Sequence, residues 1–182
     1  MFIVLEGADG TGKTTLCNIL AERLGATPYA SPPKKYQKIR ASVDRNATAE
    51  EHYQFYRNGT YDASDEITVL LNNGKKVVCD RYWLSTYTYH QVMGVPVSVE
   101  DFQSIVAPTL TVLLVLNHET QIERMLNRGM TVGDIRVLDK QKDVNLAYYR
   151  NILEFRIPFI VIDTHRFSPE ACADIAIKAF EV

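Results

Sequence analysis

No two cysteines in this chain have the spacing of a metal knuckle or a redox motif. Cys17, Cys79 and Cys172 are far apart and odd in number. With no secretory signal before them, they are expected to be reduced thiols in a cytoplasmic protein rather than a disulfide framework. The four histidines, His52, His90, His118 and His165, are equally scattered. No ligand cluster with the cysteines and no Ser-His-Asp set can be placed from their spacing. Neither sign of charge dominates: 20 Lys and Arg against 22 Asp and Glu leave a formal net charge of −2. That gives no global field for nucleic acid or an anionic membrane, so any anion site has to be local. Apolar runs fall well short of the ~20 residues needed to span a bilayer. The N-terminus has no basic region or cleavage site and opens into an apolar segment. Repeats and low-complexity tracts are missing too. What remains is 182 residues, 46% of them hydrophobic. This is a globular composition, expected to fold as one domain over 1–182.

Against these absences stands one dense motif. Residues 7–15 read Gly-Ala-Asp-Gly-Thr-Gly-Lys-Thr-Thr, which fits G-x-x-x-x-G-K-[ST] with Gly7, Gly12, Lys13 and Thr14 in the fixed places. The glycines let the backbone turn its N–H groups inward around an anion. Gly7, Ala8, Asp9, Gly10, Thr11, Gly12, Lys13, Thr14 and Thr15 are therefore expected to wrap a nucleotide's phosphates. Lys13 would reach the outer phosphates, and the Thr14 hydroxyl would hold magnesium. The following helix would add its N-terminal dipole. The flanks agree: Phe2-Ile3-Val4-Leu5 reads as a buried parallel strand. Leu16, Ile19, Leu20 and Leu24 then recur at helical spacing up to Gly25.

Further strand-like runs lie at Lys76–Cys79, Leu110–Leu116 and Phe159–Ile162, with a weaker one at Thr27–Ala30. Helical patterns separate them. This predicts an α/β fold with a mostly parallel sheet. The spacing predicts a long helix over 49–72, interrupted near Gly59, and a helix over 140–155. A final helix starts at Ser168-Pro169, with Ser168 as N-cap. Residues 127–133 read as a mobile loop. Cys79-Asp80-Arg81-Tyr82 follows the third strand directly. Ligands of open α/β sheets bind beyond the carboxyl ends of the strands. Asp80 is thus expected at the metal, and Arg81 is placed to clamp a second phosphate.

The segment Glu6 to Thr15, together with Asp80-Arg81-Tyr82, Ser85-Thr86 and Tyr89, resembles the thymidylate kinases. The likeness continues through Pro108-x-Leu110-Thr111, Leu113–Leu116 and Glu119–Arg124. The resemblance implies a P-loop NTPase fold: a five-stranded parallel sheet wrapped by helices, with a lid at about 127–139. It also implies transfer of the γ-phosphoryl of ATP to a deoxynucleoside monophosphate, normally dTMP, with Mg2+. A homodimer is implied as well. By the same resemblance, Arg40 binds the acceptor phosphate and Asp9 contacts the acceptor. An aromatic residue on the long helix stacks on the base while an arginine reads its edge. Phe55 and Arg57 are the candidates, with Tyr56 as the alternative to Phe55. Ser85, Thr86 and Tyr89 complete the acceptor pocket. The loop Asp9-Gly10-Thr11 contains no arginine, so a transition-state arginine would come from the lid region. Arg124, Arg128 and Arg136 are the cations there. Several positions depart from the family pattern. His90 stands where glutamine is usual, and Thr109 replaces the acid of Pro-Asp-Leu. Asp134-Ile135-Arg136 replaces an adjacent Asp-Arg pair. Three alternatives are a deoxynucleoside kinase, a GTPase and a non-catalytic nucleotide-binding module. The first is opposed by two phosphate-seeking arginines. The second is opposed by Leu116-Asn117-His118-Glu119, where a guanine motif would stand.

Overall fold

The computed structural model describes residues 1–180. Among them, five strands form one parallel sheet in the order β2-β3-β1-β4-β5. The strands are β1 (Phe2–Glu6), β2 (Thr27–Ala30), β3 (Val77–Asp80), β4 (Leu110–Val115) and β5 (Phe159–Asp163). The apolar run Phe2–Leu5 of β1 has a direct cause: the strand is central, bonded to β3 on one side and β4 on the other, and buried on both faces. Alternate residues point to opposite faces. Ile3 and Leu5 meet Leu16 and Leu20 of α1 (Lys13–Leu24) and Ala173 and Ala176 of α8 (Pro169–Phe180). Phe2 and Val4 meet Ala63 and Ile67 of α3 (Ala49–Asn72). The three cysteines are buried free thiols. No helix among the described residues is long and apolar enough to cross a membrane.

Two elements differ from the sequence reading. The long helix is not interrupted: α3 runs without a break through Gly59, started by a Thr48–Glu51 capping box. A Cβ at Gly59 would stand 2.6 Å from Pro32 Cβ, so this glycine answers a close approach of a loop and not a helix break. The stretch 127–133 is not one loop either. α5 (His118–Arg128) carries into it, and Thr131 and Asp134 cap a short turn, α6 (Val132–Arg136). The charged run at 34–46 forms α2 (Gln37–Asn46) after a 3-10 turn. α6 packs on α2. The remaining helices are α4 (Trp83–Val92) and α7 (Gln141–Glu154). α8 begins as the sequence suggests, with Ser168 Oγ accepting from Ala171 N–H at 3.2 Å.

Candidate active site

β1 ends in the middle of the sheet, and the chain turns there into α1. Gly7 (φ 135°) and Gly12 (φ 91°) hold backbone conformations that side chains resist. A Cβ on Gly7 would also collide with the Leu114 carbonyl. Lys13 curls over the loop: Nζ donates to Ala8 O at 2.6 Å and to Thr11 Oγ1 at 3.2 Å. Burial, with Arg81 close by, pulls its pKa down to about 8. An incoming anion would reverse that shift. Gly10, Gly12, Lys13, Thr14 and Thr15 line a cleft. Gly7, Ala8 and Thr11 lie behind them: the Ala8 and Gly7 carbonyls are taken by Lys13 and Arg81 (3.1 Å), and the Thr11 hydroxyl donates to Ala8 O at 2.9 Å.

At the end of the neighbouring strand β3, Asp80 accepts from the Thr14 hydroxyl at 2.5 Å. A carboxylate beside a hydroxyl is a hard-oxygen donor set, and it opens onto the phosphate cleft. These residues fit magnesium, which keeps several waters and takes few protein ligands. Among the described residues there is no separate cluster of three His, Cys, Asp or Glu able to hold a metal.

Arg81 is the hub of the site. It is a non-glycine residue at φ 69°, a costly conformation held here by its surroundings. Its guanidinium donates to the Asp9 carboxylate and to Ser85 Oγ (3.1 Å), and more distantly to the hydroxyls of Tyr89 and Tyr148 (both 3.4 Å). Burial works against the charge of Asp9. Arg81 and Lys13 outweigh it, and the carboxyl lies well below the usual carboxylate range. Tyr89 donates to its second oxygen at 2.6 Å. Beneath this pair lies Glu6, which burial raises to about 7. Glu6 accepts from the backbone N–H groups of Tyr82 (3.0 Å) and Ser85 (3.2 Å) and from the Ser85 hydroxyl. It therefore caps α4 from β1 and holds the Ser85 hydroxyl that accepts from Arg81. The sequence reading passed over Glu6 and Tyr148. The acid at the head of the motif was visible, but nothing local pointed to Tyr148.

A second cavity adjoins the phosphate cleft. α4 contributes Ser85, Thr86, Tyr89 and His90, α2 contributes Arg40 and Asp44, and α3 contributes His52 and Tyr56. Asp9, Arg40, Arg81, Asp44 and Asp134 line both spaces. Phe55 and Arg57, expected to meet the base, do not line this cavity. Phe55 packs edge-on against Tyr36 at 5.1 Å, and Arg57 turns to Asp101 at 3.3 Å. The reason is rotation. Neighbours on a helix differ by about 100°, which turns Phe55 and Arg57 to either side of Tyr56. His52 and Tyr56, four apart, are the α3 side chains that line the cavity. Tyr56 donates to Asp44 at 2.8 Å and accepts from Arg40 Nε at 2.9 Å.

The lid arginines separate. Arg128 lines the phosphate cleft, with Nη2 at 2.8 Å from both oxygens of the buried Asp134. Arg124 lines the same cleft and donates to Thr164 O (2.9 Å) and Oγ1 (3.2 Å). Arg136 is not there. Its guanidinium donates to the carbonyls of Asp44 (2.9 Å) and Ala47 (2.8 Å), at the C-terminal end of α2. That end attracts cations, and the residue lines the second cavity instead.

Comparison with known proteins agrees with this geometry. The family model described as Thymidylate kinase matches residues 5–175. A protein named probable thymidylate kinase from Archaeoglobus fulgidus is 31% identical over 161 residues, covering 83% of this chain and 82% of the relative. Another of that name from Methanocaldococcus jannaschii is 32% identical over 178 residues, covering 93% and 90%. The solved thymidylate kinase of Candida albicans superposes with a TM-score of 0.81 at 16% identity, covering 98% of this chain and 90% of that one. A deoxyadenosine kinase from M. mycoides superposes at 0.71, also at 16% identity. At that identity the two structures speak for the fold alone. The match over residues 5–175, the two relatives above 30% identity and the paired clefts agree: the chain belongs to the thymidylate kinase family.

Proposed function

We propose that this chain transfers the γ-phosphoryl group of ATP to the phosphate of dTMP, giving dTDP and ADP. One observation carries the reading: the phosphate cleft and the adjoining cavity meet at Asp9, Arg40 and Arg81. Two nucleotides bound from opposite sides would bring their phosphates together there. An oxygen of the dTMP phosphate attacks the γ-phosphorus as the bond to the β–γ bridging oxygen breaks. The protein has little covalent work to do in such a transfer; it aligns the groups and neutralises charge. Lys13 and the loop amides hold the donor phosphates. Arg81 and Arg40 hold the acceptor phosphate, Arg81 being aimed by Asp9 and Ser85. Tyr56 offers the flat face against which the base stacks, and Thr86 and Tyr89 border it. Arg128 is the cation that reaches the transferring group, drawn off Asp134 as the nucleotides bind. Thr14 and Asp80 would hold Mg2+, which supplies neutralisation of the β- and γ-phosphates when bound. Family membership further supports a single catalytic domain over 1–182, a homodimer and a cytoplasmic location.

The test is coupled ADP release with ATP and Mg2+ across nucleoside monophosphates and thymidine. Preferred turnover on dTMP is expected. Preference for thymidine would convert the protein to a nucleoside kinase, and turnover on another monophosphate would overturn the base assignment. Gel filtration at micromolar concentration checks the dimer.

A further inference from the structure

Two histidines meet under the wall of the acceptor cavity. His52 Nδ1 lies 2.7 Å from His90 Nε2. His52 Nε2 lies 3.1 Å from Asp44 Oδ1, and His90 Nδ1 lies 2.6 Å from the Thr86 carbonyl. Protons can be counted along this chain without choosing tautomers in advance. A carbonyl only accepts, so His90 Nδ1 carries hydrogen. The Asp44 carboxyl is held ionised: burial raises it, but hydrogen bonds from His52 and Tyr56 bring it below its ordinary value. His52 Nε2 therefore carries hydrogen too. The two nitrogens left facing each other at 2.7 Å would then both be lone pairs. Only a third proton between them makes a hydrogen bond, one more than two neutral imidazoles hold.

We propose that His52 and His90 share this extra proton and act as positioning residues for the acceptor wall, so that dTMP binding weakens when the proton is lost. The inference rests on the dTMP kinase reading for its substrate, but not for the proton. Asp44 is the link. Its carboxylate takes the Tyr56 hydroxyl at 2.8 Å and stands 3.6 Å from Arg40 Nε. Its backbone carbonyl takes Arg136 of α6, and a Cβ on Gly133 of α6 would stand 3.2 Å from its Oδ2, a tight approach. The His52 ring also lies against Tyr56, with centroids 4.6 Å apart. The charged and titratable groups facing the pair are Asp44 and Arg40 from α2, Tyr53 and Tyr56 from α3, and Arg136 from α6. Burial above all, with His52 and Arg136 beside it, pulls His90 down to about 4; against this, the third proton is held by the 2.7 Å contact between the rings and by the Asp44 carboxylate on the far side of His52. Loss of the proton sets two lone pairs against each other and leaves Asp44 less neutralised. The pair then parts, and the plane of Tyr56 and the reach of Arg40 move with it. No atom of the pair touches the transferring group, so turnover at saturating dTMP is not coupled to it.

The experiment has two readouts. Nitrogen-15 NMR of histidine-labelled free protein should find three hydrogen-bearing imidazole nitrogens in this pair at pH 6 and two at pH 9. Steady-state kinetics at saturating ATP and Mg2+ should find the dTMP KM rising roughly tenfold over the same interval. The dTMP phosphate titrates near pH 6, so His90→Gln is the control: a side-chain amide can donate to neutral His52, no extra proton is needed, and the excess KM rise should vanish. Two neutral imidazoles at pH 6, or the same KM profile in His90→Gln as in wild type, would overturn the proposal. Absence of turnover on dTMP would overturn the substrate reading, and the NMR result would still decide the proton.

Discussion

Replacing Arg128 and Arg136 separately by alanine should divide rate from binding. Arg128 is about half exposed, with a side-chain exposure of 48%, but its partner Asp134 is buried, so losing the pair costs ~1–3 kcal/mol of stability. Asp134 keeps the Thr131 N–H at 2.7 Å after the change. The rate is another matter. An arginine aligned on a transferring phosphoryl group is worth ~10³–10⁵, or ~4–7 kcal/mol of barrier. Arg136→Ala removes two charge-assisted bonds to the end of α2, each worth ~1.5–3 kcal/mol before relaxation. It should cost more stability than Arg128→Ala, raise the dTMP KM, and lower kcat by less than about tenfold. The assay is kcat and KM at saturating ATP and Mg2+, beside urea denaturation of the same preparations. Arg128→Ala turning over within about tenfold of wild type would refute the role given to Arg128. Equal kcat losses in the two variants would refute the division between them.

Asp80→Asn should raise the Mg2+ concentration for half-maximal rate by at least about tenfold, while leaving stability within ~0.5 kcal/mol of wild type; a magnesium titration of activity reads this. Gly59→Ala sets a helix-propensity gain of ~0.5–1 kcal/mol against overpacking of Pro32, ~1–3 kcal/mol. The net effect should be destabilising, with a higher dTMP KM because Pro32 lines the cavity; a stabilised variant in urea would show that the loop yields freely. Glu6 concerns pH. Burial raises it from its ordinary 4.5 to about 7, so the native state keeps a proton that the unfolded chain has released. Its stabilising contribution is full below pH 4.5 and is lost as pH rises through 7. Glu6→Gln should remove that decline, on the order of 3 kcal/mol, from unfolding free energies measured between pH 4.5 and 7.5.

Much of the fold was legible because its signals are local. A buried central strand reads as an unbroken apolar run, a phosphate loop needs glycines at stated spacings, and Ser168-Pro169 starts a helix wherever it stands. Tertiary approach was not legible. Gly59 looked like a helix break because its reason, Pro32, lies 27 residues away in the chain. The acceptor wall failed for a related cause. Phe55, Tyr56 and Arg57 are adjacent and similarly aromatic or basic, and only the rotation of α3 about its axis selects Tyr56. Arg128 and Arg136 were equivalent as lid charge until the docking of α6 on α2 gave one to the phosphate cleft and the other to two carbonyls.

The sequence by itself determined the class of chemistry: a glycine-shaped anion cradle with Lys13 and Thr14, an acid and an arginine at the end of a strand, and a parallel sheet to hold them. Each is a short-range requirement, written within about ten residues of chain. Only the tertiary structure decided which side chains share a cavity, that Glu6 holds the Ser85 hydroxyl beside Arg81, and that His52 and His90 meet. Such contacts join residues 38 to 79 positions apart, and no local pattern constrains the packing that brings them together.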